Sequence, residues 1–498
     1  MADLQSACPS APQSAAPSPP TGLAPRKWAR LEAFLGALPP SAASRLFEAL
    51  ERGGGIDESG VPASAILATL RARLISSGET FPPRKPTAQR LFFAPFEDFF
   101  IAGRRGRKRR ARIDRASLGP IWSLVLADPA CAGAARAAAD LDAAIARGER
   151  ALLPYERALF AESGEGFARL IAHADADAAF RSDIGARLGG KNAQAGAAAL
   201  HDLAEINLLL PAIAHLRAAQ KAFARPLAAL TEEDLFEARR IYVAAAGAPE
   251  TAGYVLLAIA GRLEAPWRAL PLYYHMAHAE DERLPYARAD AAQIVETLFE
   301  DLEGLARLLE RDADDDPDTE DAPARFAHFA EFASGVIAEA ERRDDGALVS
   351  RAEACRDIAA AALSRLCEHA IAALRRVHPV RHAGGSSRLM ALRPDIERPV
   401  DPIAERTARA GAGFLSKADA LGLALGRPDA AGPIVADARA ETRRYAGDLI
   451  TEIRAAEGGE RAAAKKRMEA SLAAAAPLLP DGEIALLKER AAAAMVSA

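Results

Sequence analysis

The chain has 498 residues, 50% of them hydrophobic and only 6% aromatic, and its 63 basic and 68 acidic side chains leave a formal charge of −5. So small a net charge excludes a chain-wide coat for nucleic acid, and any basic function has to be local. The four cysteines, Cys8, Cys131, Cys355 and Cys367, make no CxxC pair, which excludes a disulfide framework and fits a reducing compartment, so the expected localisation is cytoplasmic.

Much of the apolar half is alanine, which loses no side-chain entropy on entering a helix. Val, Ile and Thr runs are few. Together these predict an all-α chain, a multi-helix bundle or irregular helical array of about fifteen to eighteen helices. Only nine of the basic residues are lysine. That bias, with the alanine, reads as a GC-rich bacterial genome and lowers the weight of any single arginine.

In chain order, residues 1–25 are rich in Pro, Ala and Ser and read as a disordered tail with neither the charged nor the apolar region of a signal peptide. A first helix starts near Arg26, with Trp28, Leu31, Leu35 and Leu38 on one stripe, and Pro39-Pro40 ends it. Ser41 is placed to cap a second helix with Leu46, Phe47 and Leu50 inward, GGG at 53–55 breaks it, and a third covers about 62–75.

The stretch least like the rest runs from Arg90 to Trp122. Phe92, Phe93, Phe96, Phe99 and Phe100 fall within nine residues, and seven of the nine residues 104–112 are Arg or Lys. Pro95 suits the first turn of a short helix, because its missing N–H has no partner there anyway. Glu97 and Asp98 then lie near that helix's positive end, and Phe96, Phe99 and Phe100 share a face. Gly103 ends the helix, and the basic run follows as a loop.

Helices are expected at 117–127 and 132–147, throughout 151–230 with an interruption at Pro211, and after Thr231, whose TEED has capping-box spacing. The clearest is 289–310, with Ile294, Leu298, Leu302, Leu305 and Leu309 on one face and Glu296, Glu300, Asp301 and Glu303 solvating the other. An acidic break at 311–323 precedes helices at 324–342 and 346–378. A basic, Pro/Gly-rich linker at 381–402 leads to four more, at 403–425, 432–456, 459–476 and 481–496. The expected organisation is a tail, an N-terminal helical region 26–230, a central region 231–380 and C-terminal helices 403–498, with lobes dividing near 230 and again near 311–324. The longest run considered for a membrane, Tyr254–Gly261, is far short of the roughly 20 residues that a spanning helix needs.

Three stretches bear on chemistry. Arg104, Arg105, Arg107, Lys108, Arg109, Arg110 and Arg112 could meet an acidic protein or a nucleic-acid backbone, since guanidinium groups match phosphate oxygens two at a time. With the Phe96/Phe99/Phe100 face they could instead dock on an anionic membrane surface. The plainer alternative is a buried Phe face under a solvated Arg loop, near the acidic 311–321 segment. His275, His278 and Glu282 fall at i, i+3 and i+7, one helix face that offers two imidazoles and a carboxylate to Zn²⁺ or Fe²⁺. Gly185 to Asn192 fits GxxxxGK, but Asn192 stands where Ser or Thr must hold Mg²⁺ and FRSDI before it reads as helix, so Gly189-Gly190 is a helix C-cap.

The acids Asp312, Asp314 and Asp316 are spaced like a calcium loop. Pro317 and Pro323 occupy its Gly and bidentate Glu positions, so the segment reads as a solvated linker. No stretch carries a cofactor fingerprint, and none is expected. The leading expectation is a non-enzymatic interaction or scaffold protein with a basic loop for an anionic partner. The alternatives are a metal-dependent helical enzyme and a peripheral membrane binder.

Overall fold

The computed structural model describes residues 25–52, 63–76, 86–101, 108–190, 192–278, 285–314, 321–382 and 392–496. Twenty α-helices carry almost all of their regular structure. The strands are a parallel pair, Phe100–Ile101 with Ile113–Asp114, and an antiparallel pair, Val380–His382 with Leu392–Pro394. The chain is all-α, as its composition predicts. The 1–25 tail, apart from Pro25, lies outside the described residues. Backbone contacts divide the chain into two units, 1–87 and 88–498.

In the first unit the helices Pro25–Ala37, Pro40–Arg52 and Ala63–Ser76 pack around Leu35, Phe47, Ile66, Leu70 and Leu74. Leu35 and Phe47 lie on the stripes legible in the sequence. The last carbonyls of a helix have no partner within it. Here Arg73 reaches back to donate to the Leu35 and Leu38 carbonyls and closes the first helix.

The second unit holds three apolar cores. The largest gathers residues from Ala88 to Ile294, a second gathers Leu270 to Leu478, and a smaller one gathers Ile396 to Ala494. Element ends follow local chemistry. Thr231 accepts from Asp234 N while the Asp234 carboxylate accepts from Thr231 N, the reciprocal box expected before Glu232–Ala245. Asp345 and Asp401 cap the helices Gly346–Val377 and Pro402–Ala424.

The five phenylalanines belong to the first core. Phe92, Phe93, Phe96 and Phe99 are buried and Phe100 is half-buried. Phe92 stacks among Phe93, Phe160, Phe167 and Trp122 at centroid distances of 5.0 to 6.2 Å. The expected lipid-docking face is therefore interior, because Phe96 and Phe99 already have protein on every side. Asp98 does not merely face a helix dipole. It is buried, and both its carboxylate oxygens accept from Arg262 Nη1 at 2.9 Å.

The GxxxxGK match is a helix hairpin. Ala178–Gly189 ends at Gly190, whose φ of +59° suits glycine, and Asn192 caps Ala193–Leu209 through Ala195 N. Gly189 and Gly185 lie directly against Gly196 across this hairpin.

The apolar helix expected at 201–222 is part of a longer run. Ala193–Ala222 is long and apolar enough to cross a membrane by length and composition alone, and 44% of its most apolar stretch is buried. Its Leu203, Ile206 and Leu209 are fully buried in the first core, and its two acids are paired within the protein, as expected of a core helix.

The three described cysteines are free and buried. Burial pushes the Cys131 thiol up to about 11 and the Cys367 thiol up to about 12, and raises Cys355 as well. The thiolate is the nucleophile. In the folded protein, a disulfide reagent at mildly alkaline pH is therefore expected to label Cys131 at least about a hundredfold more slowly than free cysteine. Labelling in concentrated guanidinium should be fast. Peptide mapping that finds Cys131 modified at the free-thiol rate before unfolding contradicts this.

Candidate functional site: an arginine-rich clasp and a cleft beside His275

The basic run connects the two short parallel strands, and its described half is held down by this chain's own acids. Lys108 Nζ lies 2.7 Å from Asp202 Oδ1 and 2.5 Å from Glu205 Oε2, and donates to the Arg112 carbonyl. Asp202 is fully buried and Glu205 nearly so. Ser117 Oγ and the Asp114 amide also donate to Asp202. The Ala111 amide and the Tyr254 hydroxyl donate to Glu205. Ala111 takes a φ of +54° to present that amide.

Arg109 and Arg112 share Asp301, at 3.0 and 2.5 Å. Arg110 lies over the Tyr254 ring at 4.4 Å and donates to the Glu250 carbonyl. Burial and the neighbouring Glu205 push the Tyr254 phenol well above its ordinary range, so it stays a donor.

Four of the seven expected anion-binding cations, Lys108, Arg109, Arg110 and Arg112, thus have internal partners. Arg104, Arg105 and Arg107 lie outside the described residues. Among the described residues the acidic partners of these four include Asp202, Glu205 and Asp301. Asp301 and Glu300 sit on the face read from sequence as solvated, and Arg109 meets both. On that same face Glu296 and Glu303 are bound by Arg351. Asp202 and Glu205 carried a signal in the sequence: two acids three residues apart inside a long apolar run.

The second feature is a cleft of about 1040 Å³ lined by four segments. Glu232, Leu235, Phe236 and Arg239 come from the helix Glu232–Ala245, and Pro271, Tyr273, Tyr274, His275 and Ala277 from the helix Leu270–Ala277, with its C-cap His278. Arg288 comes from the start of Ala287–Asp314, and Arg343 to Gly346 from the turn into Gly346–Val377. Its walls carry residues of both large cores. Leu235 packs with the first and Tyr274 belongs to the second, and such junctions are common places for ligand sites.

Tyr274 is buried and donates to Asp345, and Arg343 lies over its ring at 5.7 Å. Phe236 is 62% exposed and meets the His275 ring edge-on at 5.4 Å. The His275 Nε2 is buried with no hydrogen-bond partner among the described residues. Burial, reinforced by the Arg239 charge, holds that imidazole below its ordinary pKa, so the ring is neutral at neutral pH.

This cleft contains two of the three residues singled out as metal ligands, His275 and His278. The helix stops at Ala277, and His278 is its exposed C-cap, with Nδ1 2.8 Å from the Tyr274 carbonyl. An i, i+3, i+7 face needs a helix that runs on to Glu282, which lies outside the described residues. Among the described residues no three His, Cys, Asp or Glu side chains are grouped to hold a metal ion. The sequence reading did not single out Phe236, Arg239, Arg288 or Arg343, which are far apart in the chain. A comparison with protein-family models, with curated proteins and with solved structures finds no match.

Proposed function

We propose that this is a non-enzymatic binding protein whose helical frame holds a small organic anion in the cleft beside His275. The reading keeps the anionic partner expected from the sequence and moves its contact away from 108–112. Those four cations would have to abandon Asp202, Glu205, Asp301 and the Tyr254 ring to serve a second anion.

One observation carries the proposal. Arg239, Arg288 and Arg343 line a single cleft together with the first turns of three helices, at Glu232, Arg288 and Gly346. Helix N-termini carry a partial positive charge and favour anions. Three carboxylates share the walls, and Asp345 among them is already engaged in capping Leu348 N. Phe236, Tyr273 and the neutral His275 add flat apolar surface, so the ligand class supported best is an anion that also carries a planar ring. Stacking of a base on an aromatic side chain is worth about 1–3 kcal/mol.

Calorimetric titration with ATP and with inorganic pyrophosphate tests this. ATP should bind more tightly than pyrophosphate. Arg288→Glu should weaken both about tenfold or more, the loss of one charge-assisted contact. Phe236→Ala should weaken ATP alone. If neither probe saturates, or if Arg288→Glu titrates like the unmodified protein, the cleft does not have this role.

A further inference from the structure

A separate site lies within the C-terminal helices. Arg467 is only 3% exposed, yet among the described residues it makes no ion pair; its one hydrogen bond is from Nη2 to the Arg398 carbonyl. Its Nε is buried without a partner. One turn along the same helix Ser471 is fully buried, and its Oγ also lacks a partner. His378 is buried, stacks on Tyr445 at 4.5 Å and leaves Nε2 unpartnered. The Arg467 charge acts on both His378 and Tyr445, and burial with that charge holds the His378 imidazole down at about 4. His378 is therefore neutral at ordinary pH.

The carboxylates nearby hydrogen-bond to groups other than Arg467. Glu441 takes Arg375 at 2.9 Å, and Asp395 accepts from the Glu397 and Arg398 amides. What remains is one buried positive charge and three unpartnered polar atoms: Arg467 Nε, a donor only, and Ser471 Oγ and His378 Nε2, which donate in one rotamer and one tautomer. A buried unpaired charge is strongly unfavourable. A water molecule can satisfy donors but cannot cancel the charge, whereas an anion does both.

We propose that Arg467 Nε, Ser471 Oγ and His378 Nε2 hold a small inorganic anion of halide size. It neutralises the buried guanidinium and ties the helix Gly458–Ala475 to the segment that follows the helix Gly346–Val377. The site is independent of the cleft beside His275.

The test is crystallographic and thermal, on the full chain. Crystals in sodium bromide should show an anomalous difference peak within hydrogen-bonding distance of Arg467 Nε and Ser471 Oγ. The unfolding temperature should rise by about 1–3 °C per tenfold increase in sodium bromide over sodium gluconate at matched ionic strength. Arg467→Gln should abolish that excess and Ser471→Ala should reduce it; the latter keeps the test usable if the former does not fold. A site that holds water while bromide is present, or equal stability in bromide and gluconate, overturns the proposal.

Discussion

Lys108→Met is expected to cost the native state about 3–5 kcal/mol, the range for removing one partner of a buried ion pair. The loss follows from what stays behind. Asp202 and Glu205 are buried on one helix and turned toward the same ammonium, at 2.7 and 2.5 Å. Methionine matches the lysine stem in bulk but supplies no charge, so two carboxylates would face each other in the core. The other donors to the pair among the described residues are neutral: Ser117 Oγ, the Tyr254 hydroxyl and the amides of Ala111 and Asp114. Replacing all three groups at once, as Lys108→Met with Asp202→Asn and Glu205→Gln, removes the charges together and should recover a large part of the loss. Urea unfolding of the three proteins measures both effects. A single variant within about 1 kcal/mol of the unmodified chain, the value of a surface pair, would show that Lys108 is not the keystone of the clasp.

Gly196→Val comes next in size, at about 3 kcal/mol or more, at or above the top of the usual range for overpacking. A Cβ on Gly196 would stand 2.0 Å from the Gly185 carbonyl oxygen and 2.6 Å from its carbon. Both are backbone atoms, so no side chain can swing aside. The two helices of the hairpin would have to separate, and the first core would lose contact around Ile184, Leu188 and Leu203. Gly447→Ala is the control. It lies inside the helix Gly432–Ala455 with nothing within 4 Å of its Cβ position, so alanine should stabilise by about 0.5–1 kcal/mol. Melting curves that rank the two substitutions equally would refute the close-approach argument.

Together these expectations alter the picture of the basic run. Read along the chain, Lys108, Arg109, Arg110 and Arg112 look like a positive tongue offered to solvent. In the fold each has a partner from a helix at least ninety residues away. An electrostatic surface drawn from sequence counts charges and cannot subtract those cancelled by distant acids.

The all-α class, most helix ends and the apolar stripes were settled by the amino-acid sequence alone, because each depends on neighbours within a turn or two. The Thr231 capping box, the glycine stop at 189–190 and the inward stripe of Ala287–Asp314 are of this kind. The helix that carries His275 ends at Ala277 and Glu282 lies outside the described residues, so the face expected of His275, His278 and Glu282 does not fall on one described helix. Which acids neutralise the arginines, which glycines touch, and that Phe236, Arg239, Arg288 and Arg343 share one cleft were decided only by tertiary packing. The reason is range: helix formation is governed by contacts three or four residues apart, whereas these groupings join residues on separate segments, from seven positions apart for Gly189 and Gly196 to 192 for Arg109 and Asp301.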